Sequence, residues 1–175
     1  RMREYISALR AVWRCWRDGE ELAFKGAHYN FSLMTPAFVP EPMSAPPPAV
    51  TIGAVGPAML RVAAETCDGV RLHPFCTRRY QENVVQPLIA AGLEKRGLPR
   101  AGYEITGGGF IATGADDEAV AEKIAWVRQR VAFYGSTRAY WPVLEQHGLE
   151  DLGLKLHEMV KVGKWQEMAD EISDD

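Results

Sequence analysis

The sequence predicts an α/β fold on a parallel sheet, and two observations carry that prediction. First, short apolar or β-branched runs alternate with helical periodicity three times through residues 50–135. Second, one of these runs enters its helix directly through a turn of small residues, Gly53-Ala54-Val55-Gly56-Pro57. Repeated strand-helix units bring each strand back to the sheet through a crossover, which makes neighbouring strands parallel.

The elements follow in order. Residues 3–17 place Ile6, Leu9, Trp13 and Trp16 on one stripe beside Tyr5 and Val12, the spacing of a helix that Gly19 stops. Phe24, Tyr29, Phe31 and Phe38, punctuated by Gly26 and Asn30, predict an excursion of one or two short strands. Six prolines between Pro36 and Pro48 (with Pro40, Pro42, Pro46 and Pro47) predict a stiff connector without regular structure. Residues 50–53 form the first strand of the repeating part, and Pro57 opens its helix. Residues 69–73 form the next strand. Helical sequence runs over 77–96, interrupted or kinked at Pro87 and closed by Gly97. A third strand is expected over 103–113, loosened by Gly107-Gly108-Gly109. Asp116 caps a long helix with a core stripe of Val120, Ile124, Val127, Val131 and Tyr134. Ser136 or Thr137 caps the next helical piece, which Gly148 ends; residues 152–162 and 165–172 read as two more. The chain is thus one partial domain: a helix over 1–18, an insertion and connector over 19–49, three βα units over 50–135, and a helical tail over 136–175.

Composition narrows the function classes. The hydrophobic share of 47% suits a packed core, and 20 Lys and Arg against 23 Asp and Glu leave a formal charge of -3. No basic block exceeds two residues, so nucleic acid is not an expected partner. No apolar run reaches the roughly 18–20 residues of a membrane span. Cys15, Cys67 and Cys76 are odd in number and lack CxxC spacing, which reads as reduced thiols in a cytoplasmic protein. His28, His147 and His157 have no metal-ligand spacing, so no metal is expected. A helical pattern that starts at Arg1 suggests a piece of a longer chain. Three βα units are also fewer than a closed eight-stranded barrel of about 200–250 residues needs. Self-association or a missing half would cover the open sheet edge.

Two stretches are candidates for chemistry. At Gly53, Ala54, Val55 and Gly56 a strand passes into a helix whose free amides and positive dipole end suit a phosphate. The same residues also suit a plain tight turn. His73 stands at the C-terminal end of its strand, the end that faces the ligand crevice in parallel α/β proteins. There it can hydrogen-bond a cofactor ring or shuttle a proton, or simply satisfy a neighbouring backbone group. Arg78 and Arg79 open the following helix within conceivable reach of an acidic cofactor tail. Tyr134, Tyr140 and Trp141 are either a substrate wall or core. The glycine triplet marks a close approach, by a flat ring or by the protein itself.

The run from Thr51 to Pro57, continued by Ala63-Ala64-Glu65-Thr66-Cys67-Asp68-Gly69-Val70, resembles the middle of luciferase-like monooxygenases. Gly69-Val70-Arg71-Leu72-His73-Pro74-Phe75 and Phe133-Tyr134-Gly135-Ser136-Thr137 resemble their coenzyme F420-dependent branch. The resemblance implies part of a (β/α)8 TIM barrel, about strands five to seven. It also implies an oxidoreductase that moves a hydride between F420 and a small organic substrate, with the coenzyme's phosphate at Gly53–Gly56. Flavin mononucleotide (FMN) and monooxygenase chemistry on the same fold are one alternative, and a non-catalytic truncated family member acting through self-association is the other. Strands one to four and strand eight have no counterpart here, so the chain alone is expected to hold half a site and to be inactive by itself.

Overall fold

The computed structural model describes residues 1–41 and 45–173. The first helix, α1 (Met2–Asp18), ends at Gly19 in the left-handed region, where its N–H caps the Cys15 carbonyl. The excursion is a two-stranded antiparallel ribbon of β1 (Phe24–Lys25) and β2 (Asn30–Phe31). Glu4 ties this ribbon to α1 by accepting the His28 and Tyr29 backbone N–H groups at 2.6 and 2.7 Å. Those two donors, His28 first, hold its carboxyl below the usual carboxylate range. In the connector, Pro36 opens one 3-10 turn (Pro36–Phe38), a position where its missing N–H costs nothing. The expectation of no regular structure is corrected at that turn. Pro42 lies outside the described residues.

The repeating part comprises β3 (Thr51–Ala54), α2 (Pro57–Thr66), β4 (Gly69–Leu72), α3 (Arg78–Tyr80), α4 (Gln86–Lys95), β5 (Glu104–Thr106) and α5 (Asp117–Gly135). The strands form one parallel sheet in the order β3-β4-β5, with Gly53 opposite Arg71 and Arg71 opposite Thr106. Alternation along the strands sorts the two faces. Ala54, Val70 and Leu72 are buried against Leu60, Ala63, Ala64, Ile89 and Leu93 of the crossover helices. Full burial of a side chain such as Leu60 or Ile89 is worth roughly 1.5–3 kcal/mol, which makes this sheet-helix layer the main stabilising unit. Helices α2 and α4 approach closely because Gly92 has no side chain: a Cβ there would lie 2.4 Å from the Ala64 Cβ.

Several expectations need correction. A π turn (Gln81–Val85) joins α3 to α4, so the interruption falls just before Pro87 rather than at it. The third strand stops at Thr106, and the glycine triplet follows the strand instead of lying within it. Gly107 takes a φ of 95°, which breaks the extended geometry that further pairing requires. Asp116 caps α5 as expected, accepting the Ala119 N–H at 2.8 Å. The stripe along α5 is only partly covered, however: Ile124 is 39% exposed, and Trp126 and Ile111 are exposed as well. Among the described residues no further strand lies beside β5 to cover them.

The tail begins with a 3-10 turn (Arg138–Tyr140) that leads into α6 (Trp141–Glu145), without a side-chain cap from Thr137. It continues through α7 (Glu150–Lys161) to a 3-10 turn (Glu167–Glu171), where a further helical piece was expected. Leu156 and Met168 pack with Ala132 of α5 in a second, smaller core. All three cysteines are free. No helix among the described residues is long and apolar enough to cross a membrane.

Candidate functional site

The C-terminal ends of β3 and β4 open into a cleft of about 620 Å³. The turn residues Gly53, Ala54, Val55 and Gly56 line it together with Pro57, Ala58 and Met59 of the first turn of α2. Arg71, Leu72, His73 and Pro74 line it from β4 and the loop that follows, and Ala139 closes one side. The two stretches singled out in the sequence therefore meet in one place, because β3 and β4 are hydrogen-bonded neighbours ending at the same level.

The turn has a defined shape. Gly56 is the N-cap of α2, in extended conformation (φ −81°, ψ 164°), and no side chain caps the helix. Its carbonyl accepts the Met59 and Leu60 N–H groups at 3.1 Å each. Pro57 has no N–H to offer, so an anion here meets the remaining backbone amides of the turn and the positive dipole end of α2. Buried Tyr80 donates its hydroxyl to the Val55 carbonyl at 2.8 Å, pinning the turn to the start of the second crossover. Burial pushes that hydroxyl up to about 12, so it remains a donor across the ordinary pH range.

Neither glycine of the turn is demanded by the protein around it. A Cβ at Gly53 would meet nothing within 4 Å, and one at Gly56 only the Ala139 carbonyl oxygen at 4.0 Å. Both backbones are of a kind that other residues adopt, as neither glycine has a positive φ. The space that side chains would fill belongs to the cleft, which is what an anionic group lying against bare backbone requires.

His73 is partly buried and bonded at one nitrogen: its Nδ1 accepts the Phe75 N–H at 3.0 Å. The ring of Tyr134 meets it edge-on with centroids 4.3 Å apart, and Tyr140 lies at 4.9 Å. Burial lowers the pKa of His73 below the ordinary histidine value. One nitrogen thus satisfies the backbone, as one of the two sequence alternatives has it, while the ring lines the cleft.

Other sequence candidates fall elsewhere. Arg78 pairs with Glu82 at 2.8 Å, and Arg79 donates to the Gln146 carbonyl at 3.1 Å; neither lines the cleft. Of the glycine triplet, Gly107 packs on the Leu72 backbone, so the bulky object is the protein itself. Trp141 is held by the Gly135 carbonyl in the tail. His147 bonds Thr77 and His157 bonds the Ser136 carbonyl, each in a separate place. Arg71 was missed by the sequence reading. The signal was present: alternation along Gly69-Val70-Arg71-Leu72-His73 puts Arg71 on the face of His73 while Val70 and Leu72 face the helices. A separate apolar groove of about 470 Å³ between α1 and the connector, lined by Trp13, Trp16 and Phe38, shares no residue with the cleft.

Comparison with known proteins places these features in context. The family model described as luciferase-like monooxygenase matches residues 1–175. An uncharacterized protein of Mycobacterium tuberculosis and one of Mycobacterium bovis are each 45% identical over 175 residues, covering 100% of this chain and 52% of their own length. The 5,10-methylenetetrahydromethanopterin reductase of Archaeoglobus fulgidus is 28% identical over 183 residues, covering 100% of this chain and 50% of the reductase. The chain spans about half the length of the curated relatives it matches.

Proposed function

This chain belongs to the luciferase-like monooxygenase family, and from that premise we propose that it supplies the coenzyme cleft of an F420-dependent oxidoreductase. Its three parallel βα units are then part of that family's TIM barrel. The observation that carries the reading is the bare-backbone turn at Gly53, Ala54, Val55 and Gly56, opening into the same cleft as His73. The turn and the first turn of α2 seat an anionic group of the coenzyme. Arg71, whose side chain has no hydrogen bond or ion pair among the described residues, adds a positive charge to the cleft wall. His73 contacts the reacting end by hydrogen bonding. When bound, the deazaflavin supplies hydride transfer to or from a small organic substrate. The protein's part is to orient the coenzyme and limit its contact with water.

The archaeal relative is a reductase by name, which supports hydride chemistry. The family's description names a monooxygenase, which supports FMN in the same cleft as the second reading. Titrating the purified protein with F420 and, separately, with FMN while recording visible absorbance distinguishes them. The expected result is a saturable spectral change with F420 and none with FMN. The reverse pattern favours the monooxygenase, and no change with either removes the cleft assignment.

A further inference from the structure

We propose that His73 serves the cleft as a fixed hydrogen-bond donor through Nε2, with the Phe75 backbone setting its tautomer and Tyr140 and Tyr134 acting as its positioning residues. A neutral imidazole carries one proton and one lone pair. The lone pair at Nδ1 already accepts the Phe75 N–H at 3.0 Å, so the proton of the neutral ring resides on Nε2. Adding a second proton requires breaking that contact at Nδ1, because an N–H cannot donate to another N–H.

The surroundings oppose the charged form in the same direction. From α5, Tyr134 covers the ring at 4.3 Å between centroids; from the following 3-10 turn, Tyr140 covers it at 4.9 Å. The two tyrosines support each other at 5.1 Å, and Phe75 and Phe110 back them at 5.7 and 6.1 Å. A phenol is ordinarily neutral below about pH 10. Burial, with repulsion between the two hydroxyls second, raises the Tyr140 group further. On the strand that leads into His73, the charged group lining the same cleft is Arg71, a cation, which disfavours a second positive charge nearby. None of these neighbours is a carboxylate, the partner that would draw a proton onto Nδ1. Burial lowers the histidine's pKa in agreement with this geometry.

A group built in this way donates to an acceptor, such as a carbonyl oxygen or a pyridine-type nitrogen, and does not abstract protons. Only the identity of that acceptor as part of a coenzyme rests on the proposed function; the tautomer does not. The test is nitrogen-15 imidazole NMR on the 175-residue chain, with His73→Gln used to assign the signal. The expected spectrum has the proton on Nε2, and a titration midpoint below the ordinary value of about 6.5. Tyr140→Ala is expected to raise that midpoint and Tyr140→Phe to leave it in place. A proton on Nδ1, or a midpoint at or above 6.5 in the unaltered chain, overturns the proposal. A midpoint indifferent to Tyr140→Ala removes the positioning role. Should that variant fail to fold, the tautomer of the unaltered chain still decides the matter. Adding F420 then separates the two ideas: a shifted Nε2 proton supports the coenzyme reading, and no response sinks that reading while the tautomer stands.

Discussion

Gly107 takes a φ of 95°, and a Cβ built there would sit 2.3 Å from the Leu72 carbonyl oxygen. Both facts forbid a side chain, one through backbone strain and the other through collision. Gly107→Ala is therefore expected to cost on the order of 2 kcal/mol or more, read as a lower urea midpoint. An unchanged midpoint would mean that the chain does not close over β4 at this point. Gly53 and Gly56 look identical to Gly107 in a sequence, yet they stand in open space with ordinary dihedrals. This is why the candidate turn was legible and its meaning was not. Small residues at a strand-helix junction show in the letters, whereas what stands over them does not. His73 shows the same division. Its place at a strand end followed from the pattern, but the lone pair taken by Phe75 depends on a loop conformation that no periodicity encodes.

Among the elements, the junction of α1 with the sheet rests on one carboxylate. Asp68 accepts two bonds from the Arg10 guanidinium at 2.8 and 2.9 Å, and a third from the Val50 N–H at 2.8 Å. It fixes the entry to β3 and the exit from α2 together. Both side chains are partly exposed, so the ion pair itself contributes modestly, about 1 kcal/mol, and the orphaned Val50 N–H adds a similar amount. Asp68→Ala is expected to destabilise by about 2 kcal/mol and Arg10→Met by about 1 kcal/mol, with the difference assigned to Val50. Equal losses in a denaturation series would contradict that assignment. Helix positions were well read from spacing, since α1, α2 and α5 each carry a stripe and a recognisable end. The strand over 103–113 was overread because its β-branched run gave no sign that Gly107 would leave the extended region. The π turn before Pro87 had no signal beyond the proline itself.

For the molecule as a whole, one face of the sheet is closed by helices and forms the main core. The other face carries Thr51, Gly53, Arg71 and Glu104, all exposed. In a barrel that second face is the interior, so the partly open stripe of α5 and the bare sheet face have one common explanation in barrel architecture. The family and the parallel architecture were both legible from the stretches 51–75 and 133–137, and alternation along residues 69–73 already held the placing of Arg71 on the face of His73.

The account depends on an anionic coenzyme group lying against the backbone of the β3–α2 turn. Fluorescence titration of F420 against the unaltered chain and against Gly56→Leu tests this directly. The Gly56 conformation accepts a side chain, and the change at an N-cap costs no more than about 1 kcal/mol, so both proteins should be folded. The account predicts saturable binding by the unaltered chain and at least a tenfold weaker affinity in the variant, with similar melting behaviour. Equal affinity in the two proteins would contradict it.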